Sequence, residues 1–195
     1  MDSMKIGVIG NGNVGSALSR GLKRAGNEVK TTDRDRDAIH EAVEWAEVVV
    51  FAVPYGALGE LAKDIGELLN GKIVIDTSNA LTPKMELALG FTTSGAEELQ
   101  KKLPKARVVK AFNTVFAQHM DSGRLGDRAL TAFVASDDEE ARKLVLELAR
   151  GIGFDAIDSG PLKNARLLEP LGFFNIQLGL VLRHGPQIGF KLLQA

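Results

Sequence analysis

The feature that most constrains the fold of this chain is an alternation between short apolar runs and longer amphipathic stretches. Residues 48–53 are an uninterrupted apolar run that ends at Pro54, whereas residues 58–69 repeat apolar side chains at helical spacing. A continuous apolar run of strand length is typical of a strand buried on both faces, and such strands belong to parallel sheets. The alternation therefore predicts an α/β fold, a doubly wound parallel sheet with helices on both faces.

The same pattern divides the chain into elements. Strands are predicted at residues 4–9, 29–32, 48–53, 73–75, 107–112, 129–135 and 154–157, and helices at residues 14–25, 37–44, 58–69 and 138–150. Residues from 161 to the end are predicted to be helical, with an interruption near Gly185 and Pro186. Since no repeat or linker divides the chain, we predict one domain at residues 1–160 and a C-terminal helical segment at 161–195, which contributes to a substrate cleft or a dimer contact.

Composition excludes several classes of protein. The 195 residues carry 24 Lys and Arg against 25 Asp and Glu, so the strongly basic footprint typical of nucleic-acid binding is absent and no such partner is expected. There is no cysteine, which excludes a disulfide framework, a thiolate metal site and a Cys nucleophile. The longest charge-free apolar run, at residues 170–182, is too short to span a bilayer, and residues 1–4 lack the features of a secretory signal. We therefore expect a cytoplasmic protein without a membrane partner.

The most informative motif lies between the first predicted strand and the first predicted helix. It matches G-x-G-x-x-G and consists of Gly10, Asn11, Gly12, Asn13, Val14 and Gly15. In such a loop the first glycine allows the tight turn, the second lets the backbone approach a pyrophosphate, and the third permits close packing of helix on strand. The free amides at the start of the helix then face the phosphates. The motif in this context predicts a dinucleotide site.

An acidic residue, Asp33, lies about twenty positions further on, as the dinucleotide motif requires, and Arg34 follows it. A carboxylate at the end of the second strand accepts hydrogen bonds from the adenosine ribose of NAD and repels a 2′-phosphate. Arg34 has the opposite preference, because a guanidinium pairs with that phosphate or stacks on adenine. The alternative for residues 33–37 is a solvated run of charges that neutralises itself.

Rigid or polar residues follow the third, fourth and fifth predicted strands, where ligands of parallel sheets bind. They are Val53 with Pro54, Ser78 with Asn79, and Asn113 with Thr114. Val53 and Pro54 are expected to border the ribose and nicotinamide half of a cofactor. Pro54 is equally explained as a strand terminator, and Asn79 as a helix cap or turn residue.

No acid–base constellation is visible in the sequence. His40, His119 and His184 lie far apart; His119 is the nearest to a strand end but is interpreted as a surface residue. Asp76 is interpreted as a turn former, and no spacing of metal ligands is found, so no catalytic or metal residue is predicted. Hydride exchange between two redox cofactors needs only the alignment of their rings.

Several segments together resemble one family, the NADPH-dependent F-420 reductases (F-420H2:NADP oxidoreductases), which have relatives in the cytosolic domains of membrane ferric reductases. The resemblance covers essentially the whole chain. It rests on the glycine loop, on residues 52–54 and 108–114, and above all on residues 158–162 with Ala165, Arg166 and Glu169. The absence of a transmembrane region argues against a ferric reductase.

The resemblance implies a Rossmann-type domain with a small C-terminal portion, a homodimer, and reversible hydride transfer between NADP(H) and the deazaflavin F-420 without a catalytic acid or base. By position, residues 11–14 would bind the pyrophosphate and Asp33 with Arg34 the 2′-phosphate end. Val53 and Pro54 would lie on the nicotinamide side, and residues 113–115 would contact the deazaflavin.

The chain departs from the family pattern at two places. Asp33 stands where the family usually has Ser, so NAD remains possible beside NADP, and Asn113 and Phe116 replace a His and a Pro of the deazaflavin enzymes. The leading hypothesis is an NAD(P)-dependent oxidoreductase that exchanges hydride with F-420 or a flavin. The alternatives are a reductase of a small imine or carbonyl substrate, like pyrroline-carboxylate reductase, and a non-catalytic dinucleotide sensor.

The C-terminal segment also carries a row of apolar side chains at helical spacing. The row consists of Phe173, Phe174, Ile176, Leu180 and Val181. These residues are expected to form either the seam of a homodimer or part of the core of the same chain.

Overall fold

A five-stranded parallel sheet in the spatial order β2-β1-β3-β4-β5 forms the centre of the computed structural model, which describes residues 3–193. Its strands are β1 (Lys5–Ile9), β2 (Glu28–Thr32), β3 (Val48–Phe51), β4 (Ile73–Asp76) and β5 (Arg107–Lys110). The chain runs from β1 to β2 on one side and then returns to β3 on the other. Ligands of such sheets bind where this order reverses, at the carboxyl ends of β1 and β3.

Helices cover both faces of the sheet, as predicted. They are α1 (Asn13–Arg24), α2 (Arg36–Trp45), α3 (Leu58–Ile65), α4 (Gly95–Lys102), α5 (Glu139–Ile152) and α6 (Ala165–Ile176). Successive side chains of a strand point to opposite faces. In β3, Val48 and Val50 accordingly pack in the core shared with α1 and α5, whereas Val49 and Phe51 pack in the core shared with α2, α3 and α4. The predicted Rossmann-type α/β fold is confirmed.

The predicted strand at residues 129–135 is divided in the structure, and it does not extend the parallel sheet. A short hairpin of β6 (Arg124–Leu125) and β7 (Arg128–Ala129) precedes β8 (Thr131–Val134), which pairs in parallel with β9 (Asp155–Asp158). A single antiparallel bridge between Lys110 and Ala135 connects β8 to the end of β5. Strand β8 does not pair in parallel with β5 because of the segment that connects them. A parallel pair needs a crossover connection, usually an α-helix, and residues 111–130 contain no α-helix.

Two helices differ from the prediction because of their caps. The carboxylate of Asp35 accepts a hydrogen bond from the amide of Ala38 at 2.8 Å, so α2 begins earlier and runs longer than predicted. Helix α4 was not predicted. It begins at Ser94, whose hydroxyl accepts from the amide of Glu97 at 3.2 Å and donates to its carboxylate at 2.8 Å. This capping box is readable as Ser-x-x-Glu in the sequence.

The prediction of helix to the end of the chain is wrong beyond residue 181. Helix α6 continues as a π-helical turn at Gln177–Val181, and residues 182–193 are not helical. Gly185, with φ +76°, and Pro186 do not continue the helix, and the chain returns to β8. There the carbonyl of Phe190 accepts from the amide of Thr131 at 2.9 Å. The predicted limits at residues 1 and 195 lie outside the described residues.

None of the helices within residues 3–193 combines the length and the apolar character needed to cross a membrane.

Candidate functional site

The glycine loop forms the turn between β1 and α1, and its three glycines have different surroundings. Gly10 has φ +108°, and a Cβ there would lie 2.3 Å from the carbonyl oxygen of Ala52. A Cβ on Gly15 would lie 1.8 Å from the carbonyl oxygen of Gly10. At Gly12, by contrast, no described atom lies within 4 Å of the Cβ position. Gly10 and Gly15 therefore make the turn possible, and Gly12 leaves open space above the start of α1.

The amino end of α1 has no cover. Gly12 is its N-cap, and no described side chain makes a capping hydrogen bond there. The hydroxyl of Ser16 holds the loop in shape from its other side, since it donates to the carbonyl and side-chain oxygens of Asn11 at 3.1 and 2.9 Å. Bare amides and the positive end of the helix dipole together make a site for an anion.

Two grooves meet beside this loop and share Val53. The first, of about 680 Å³, is lined by Ile9, Asp33, Arg34, Arg36, Ile39, Val53, Ala57, Glu60, Leu61, Lys63 and Asp64. The second, of about 360 Å³, is lined by Gly12, Asn13, Val14, Ala52, Val53, Pro54, Tyr55, Thr77, Ser78, Asn79 and Leu81. Together the two grooves form a cleft along the carboxyl edge of the sheet, and residues 12–14 of the glycine loop line the second groove.

The charged residues at 33–37 do not simply neutralise one another. Asp35 caps α2, and Arg36 forms an ion pair with Asp64 of α3, to which His40 also bonds at 3.1 Å. Burial alone would raise the pKa of Asp64, but hydrogen bonds from Arg36 and His40 lower it. Within residues 3–193, Asp33 and Arg34 form no ion pair, and both are exposed along the first groove.

Asn79 and Asn113 meet at the far end of the second groove. The amide of Asn113 donates to the side-chain oxygen of Asn79 at 2.8 Å and to the carbonyl of Leu168 at 2.8 Å, while the amide of Asn79 donates to the carbonyl of Asn113 at 3.1 Å. Gly172 of α6 packs directly on this pair, since a Cβ there would lie 2.6 Å from the backbone carbonyl oxygen of Asn113 and 2.6 Å from Oδ1 of Asn79. The pair joins the two strand ends to α6.

Only Asn79 of these residues lines the second groove. Asn113 and Thr114 are buried against α6, and the carbonyl of Thr114 accepts from the amide of Asn175 at 3.1 Å. Phe112, which has φ +66°, turns the chain out of β5 and places Asn113 beneath the helix. Asn113 and Thr114 are thus brought to the site but lie behind it, and their contact with a ligand stays a prediction.

A buried ion network that sequence reasoning missed lies directly behind the second groove. The ammonium of Lys110 is 2.7 Å from Asp76 Oδ2 and 2.9 Å from Glu169 Oε1, and the exposed fractions of the three side chains are 0%, 0% and 1%. Burial alone would lower the pKa of Lys110, but the two carboxylates outweigh it and raise the pKa. The sequence signal that could have revealed this network is Lys110 at the end of an apolar strand, because a lysine is rarely buried unless it is paired.

The network also holds backbone groups. Asp76 Oδ1 accepts from the amide of Ser78 at 2.9 Å, which confirms that Asp76 forms a turn, and Lys110 donates to the carbonyl of Ser78 at 2.6 Å. Glu169 accepts from the amides of Gly95 and Ala96 at 2.9 and 3.1 Å, at the start of α4. Two carboxylates surround one ammonium, so the network has one excess negative charge. The carboxylate of Glu169 lies at the amino end of α4, where the positive end of the helix dipole stabilises it.

Two further polar groups line the second groove. Tyr55 is half-buried, and burial together with the charge of Glu169 raises the pKa of its phenol. The hydroxyl of Ser78 is buried and has no hydrogen-bond partner among the described residues. His119, by contrast, is not the surface residue that was predicted: it is 5% exposed and lies 3.1 Å from the carbonyl of Pro186, because the C-terminal segment covers it.

Comparisons with known proteins agree with this geometry. The family model for coenzyme F420-dependent NADP oxidoreductases matches residues 5–80, which include the glycine loop and the strand ends up to Ala80. The F420-dependent NADP reductase of Methanothermobacter marburgensis is 31% identical over an alignment 213 positions long. This alignment covers 91% of this chain and 93% of that protein. A solved structure from Arthrobacter sp. FB24, provisionally named as an F420-dependent NADP reductase, superposes with a TM-score of 0.89 at 29% identity over 98% of this chain and 100% of that one.

A second group of relatives is much longer. The metalloreductase STEAP3 of Rattus norvegicus is 32% identical over 187 residues, covering 87% of this chain but 36% of that protein. The chain thus spans little more than a third of the length of the metalloreductases it matches. By contrast, the match to the F420-dependent NADP reductase of Methanothermobacter marburgensis covers 93% of that protein. The predicted family resemblance is confirmed, and the chain belongs to the family of coenzyme F420-dependent NADP oxidoreductases.

Proposed function

We propose that the cleft binds NADP(H) in an extended form across the glycine loop. The adenosine end lies in the first groove, the pyrophosphate lies at the amino end of α1, and the nicotinamide end lies in the second groove. Three observations support this fit: the open space above Gly12, the uncapped helix, and the unpartnered buried hydroxyl of Ser78. A buried polar group without a partner calls for an explanation, and a polar group of the cofactor supplies one.

The second groove is suited to hydride exchange rather than to acid–base chemistry. When bound, a nicotinamide supplies or accepts a hydride. Of the described residues that line this groove, Tyr55 alone is ionisable; the others supply aliphatic, amide and hydroxyl groups. Val53, Pro54 and Asn79 are among the lining residues, and Asn79 is held in place by Asn113. This lining is the observation that carries the proposal, because a transfer between two redox cofactors needs alignment and exclusion of water but no proton donor.

We infer that the acceptor or donor of the hydride is F420, with a flavin as the close alternative. Support comes from the relative of similar length, which is named as an F420-dependent NADP reductase. The family resemblance implies that residues 113–115 contact the deazaflavin. Because these residues lie beneath α6, we propose that Asn79 and α6 make this contact instead of the Asn113 side chain.

The first groove supports binding of a 2′-phosphate, with Asp33 as the opposing element. Arg34 lines this groove without a partner of its own in the described chain, whereas Arg36 is already paired with Asp64. We propose that Arg34 pairs with the phosphate and that Asp33 reduces, but does not reverse, the preference for NADP(H) over NAD(H).

A second candidate function, reduction of a small carbonyl or imine, is favoured by Tyr55. Tyr55 lines the second groove, and its phenol is the one ionisable proton donor of the described lining, although burial raises its pKa and so makes it a weaker acid than an ordinary tyrosine. The two candidates differ in the role of that phenol: Tyr55→Phe should abolish carbonyl or imine reduction and leave hydride exchange with F420 nearly unchanged.

We further propose that residues 161–195 complete the acceptor side of the cleft and form a homodimer contact. Phe174, Leu180 and Val181 are 51%, 59% and 60% exposed, so an intrachain core does not account for them. Light scattering should give a dimer for the wild type and a monomer for a variant that combines Leu180→Glu with Val181→Glu. Phe91→Glu, at an apolar residue that is 69% exposed and lies outside this segment, is the matched control. A monomeric wild type would contradict the proposal.

The decisive experiment for the function is a panel of cofactors and acceptors. NADPH and NADH are each tested with F420, FMN, FAD and pyrroline-5-carboxylate, and oxidation of the nicotinamide is followed by absorbance. We expect the fastest turnover with NADPH and F420. Fast turnover with pyrroline-5-carboxylate alone would favour the second candidate, and saturable binding without any turnover would favour the sensor.

A further inference from the structure

The buried ion network acts on a residue that faces the cofactor cleft. We propose that Lys110 is a positioning residue that acts through Ser78, and that the Ser78 hydroxyl is a direct contact for the nicotinamide half of the dinucleotide. This inference rests on the proposed function. It gives Ser78 and Lys110 a role in ligand binding, although neither residue belongs to the glycine loop or lines the first groove.

Ser78 is held on both sides by this network. Its amide donates to Asp76 and its carbonyl accepts from Lys110, at 2.9 and 2.6 Å. Ser78 is only 8% exposed, its hydroxyl has no described partner, and it lines the second groove. The backbone that carries this hydroxyl is therefore fixed, and the hydroxyl is left buried in the lining of the groove with its hydrogen-bonding capacity unused.

Lys110 itself is not among the residues that line the second groove, and its side chain is 0% exposed. Its ammonium is surrounded by Asp76, Glu169 and the carbonyl of Ser78. Any effect of Lys110 on the cofactor must therefore pass through one of these neighbours, and Ser78 is the one that lines the groove.

A purely stabilising role is a weak explanation for such a network. Desolvation opposes a buried ion pair, and replacing one with packed apolar residues is often neutral or stabilising. The ion network holds a polar group in a fixed position at a binding cleft, which packed apolar residues could not do. The ligand group that fits is a hydroxyl or amide, since a serine hydroxyl both donates and accepts; the nicotinamide carboxamide and its ribose both supply one.

The test compares two ligands that differ in whether they carry a nicotinamide. Wild type, Ser78→Ala, Lys110→Met and the double variant are titrated by calorimetry with NADPH and with adenosine 2′,5′-bisphosphate, which lacks the nicotinamide half. We expect about a fivefold weaker NADPH affinity for Ser78→Ala, the loss of one neutral hydrogen bond. Lys110→Met should weaken NADPH by about fivefold to tenfold, and both variants should bind the bisphosphate within about twofold of wild type.

The double variant distinguishes positioning from independent effects. If Lys110 acts through Ser78, the double variant binds NADPH no more than about twofold weaker than Lys110→Met, because the two changes remove one interaction. Independent effects would multiply. Lys72→Met is the matched control: Lys72 is also bonded to backbone carbonyls, of Val43 and Ala46 at 2.7 and 2.6 Å, but it precedes β4 at the opposite edge of the sheet.

The outcomes separate this inference from the function on which it rests. Equal loss of NADPH and bisphosphate affinity in Lys110→Met, or multiplied losses in the double variant, would overturn the positioning role and leave the proposed function intact. A wild type that binds neither ligand would contradict both. If Lys110→Met does not fold, Glu169→Gln takes its place, since it keeps the Asp76–Lys110 pair. It should weaken NADPH by about twofold to threefold with the bisphosphate unchanged, and no difference from wild type would overturn the inference.

Discussion

At the carboxyl end of β1 the backbone of the cleft is left bare, whereas at the carboxyl ends of β4 and β5 it is held from behind by buried side chains. The first region, residues 10–15, depends on missing side chains and on contacts within a few residues of the turn and with Ala52. The second depends on Asp76, Lys110 and Glu169, which are separated by 34 residues or more and are fully buried. In the proposed complex, one end offers the ligand backbone amides, and the other offers a fixed side chain. We call the first region the bare end of the cleft and the second the braced end, and substitutions at each should show what it depends on.

The largest difference is expected between two glycines of the same loop. Gly15→Ala places a methyl group 1.8 Å from the carbonyl oxygen of Gly10 and should lower the free energy of unfolding by about 4 kcal/mol or more. Gly12→Ala meets no described atom within 4 Å and should change it by less than about 1 kcal/mol. Chemical denaturation of both variants measures the difference; similar values would show that the loop is not shaped by close backbone contact.

The braced end should resist added volume. Gly172→Ala places a methyl group 2.6 Å from the oxygens of Asn79 and Asn113 and should cost about 2–3 kcal/mol of stability by pushing α6 away. Gly56→Ala, which meets no described atom within 4 Å, is the control and should be nearly neutral. A neutral Gly172→Ala would mean that α6 does not press on the Asn79–Asn113 pair.

At the bare end, the charge of Asp33 should affect selectivity without affecting stability. Asp33→Ser removes a carboxylate beside the proposed phosphate position, so the ratio of the NADPH to the NADH affinity should rise by about tenfold, equivalent to about 1.4 kcal/mol. Calorimetric titration with both nucleotides measures this ratio. Asp37→Ser, at an exposed residue of α2 that does not line the groove, should leave the ratio unchanged. An unchanged ratio in Asp33→Ser would show that this position does not govern the preference.

The smallest effect concerns the contact of α4 with α6, where Arg166 bonds both carboxylate oxygens of Glu97 at 2.7–3.1 Å. Burial alone would raise the pKa of Glu97, but Arg166 and Ser94 lower it below its ordinary 4.5. A carboxyl with a lowered folded-state pKa stabilises the fold above its unfolded pKa, and this contribution is lost as the pH falls through the folded value.

Glu97→Gln should therefore cost about 1 kcal/mol or less at pH 7, because Arg166 is partly exposed, and this difference from wild type should disappear as the pH falls below the lowered pKa of Glu97. Denaturation at a series of pH values measures it. A difference that is constant with pH would show that the ion pair is not its source.

The two ends of the cleft also differ in how well they could be predicted from the sequence. The sheet, five of the six helices and the glycine loop depend on local patterns, namely apolar period, turn residues and motif spacing, and were predictable. Helix α4 was missed although its capping box is visible as Ser94 and Glu97. The place of β8 and β9 depends on a connection without a crossover helix, which apolar runs alone do not reveal.

The braced end of the cleft was not predictable in the same way. Asp76 and Asn79 were singled out correctly as strand-end residues, but their partners Lys110, Asn113 and Glu169 come from distant parts of the chain. Glu169 was noted for the family resemblance alone. His119 was misjudged because the segment that buries it follows 67 residues later. Contacts of this kind exist only once the fold has formed.

The central claim is that a dinucleotide phosphate binds the bare amides at the start of α1. The most direct measurement is a calorimetric titration of NADPH into wild type and into Gly12→Val, a change that fills the open space in front of those amides. The account predicts saturable one-site binding for the wild type and at least a hundredfold weaker binding for the variant, with an unchanged unfolding transition. Equal affinity in the two proteins would contradict it.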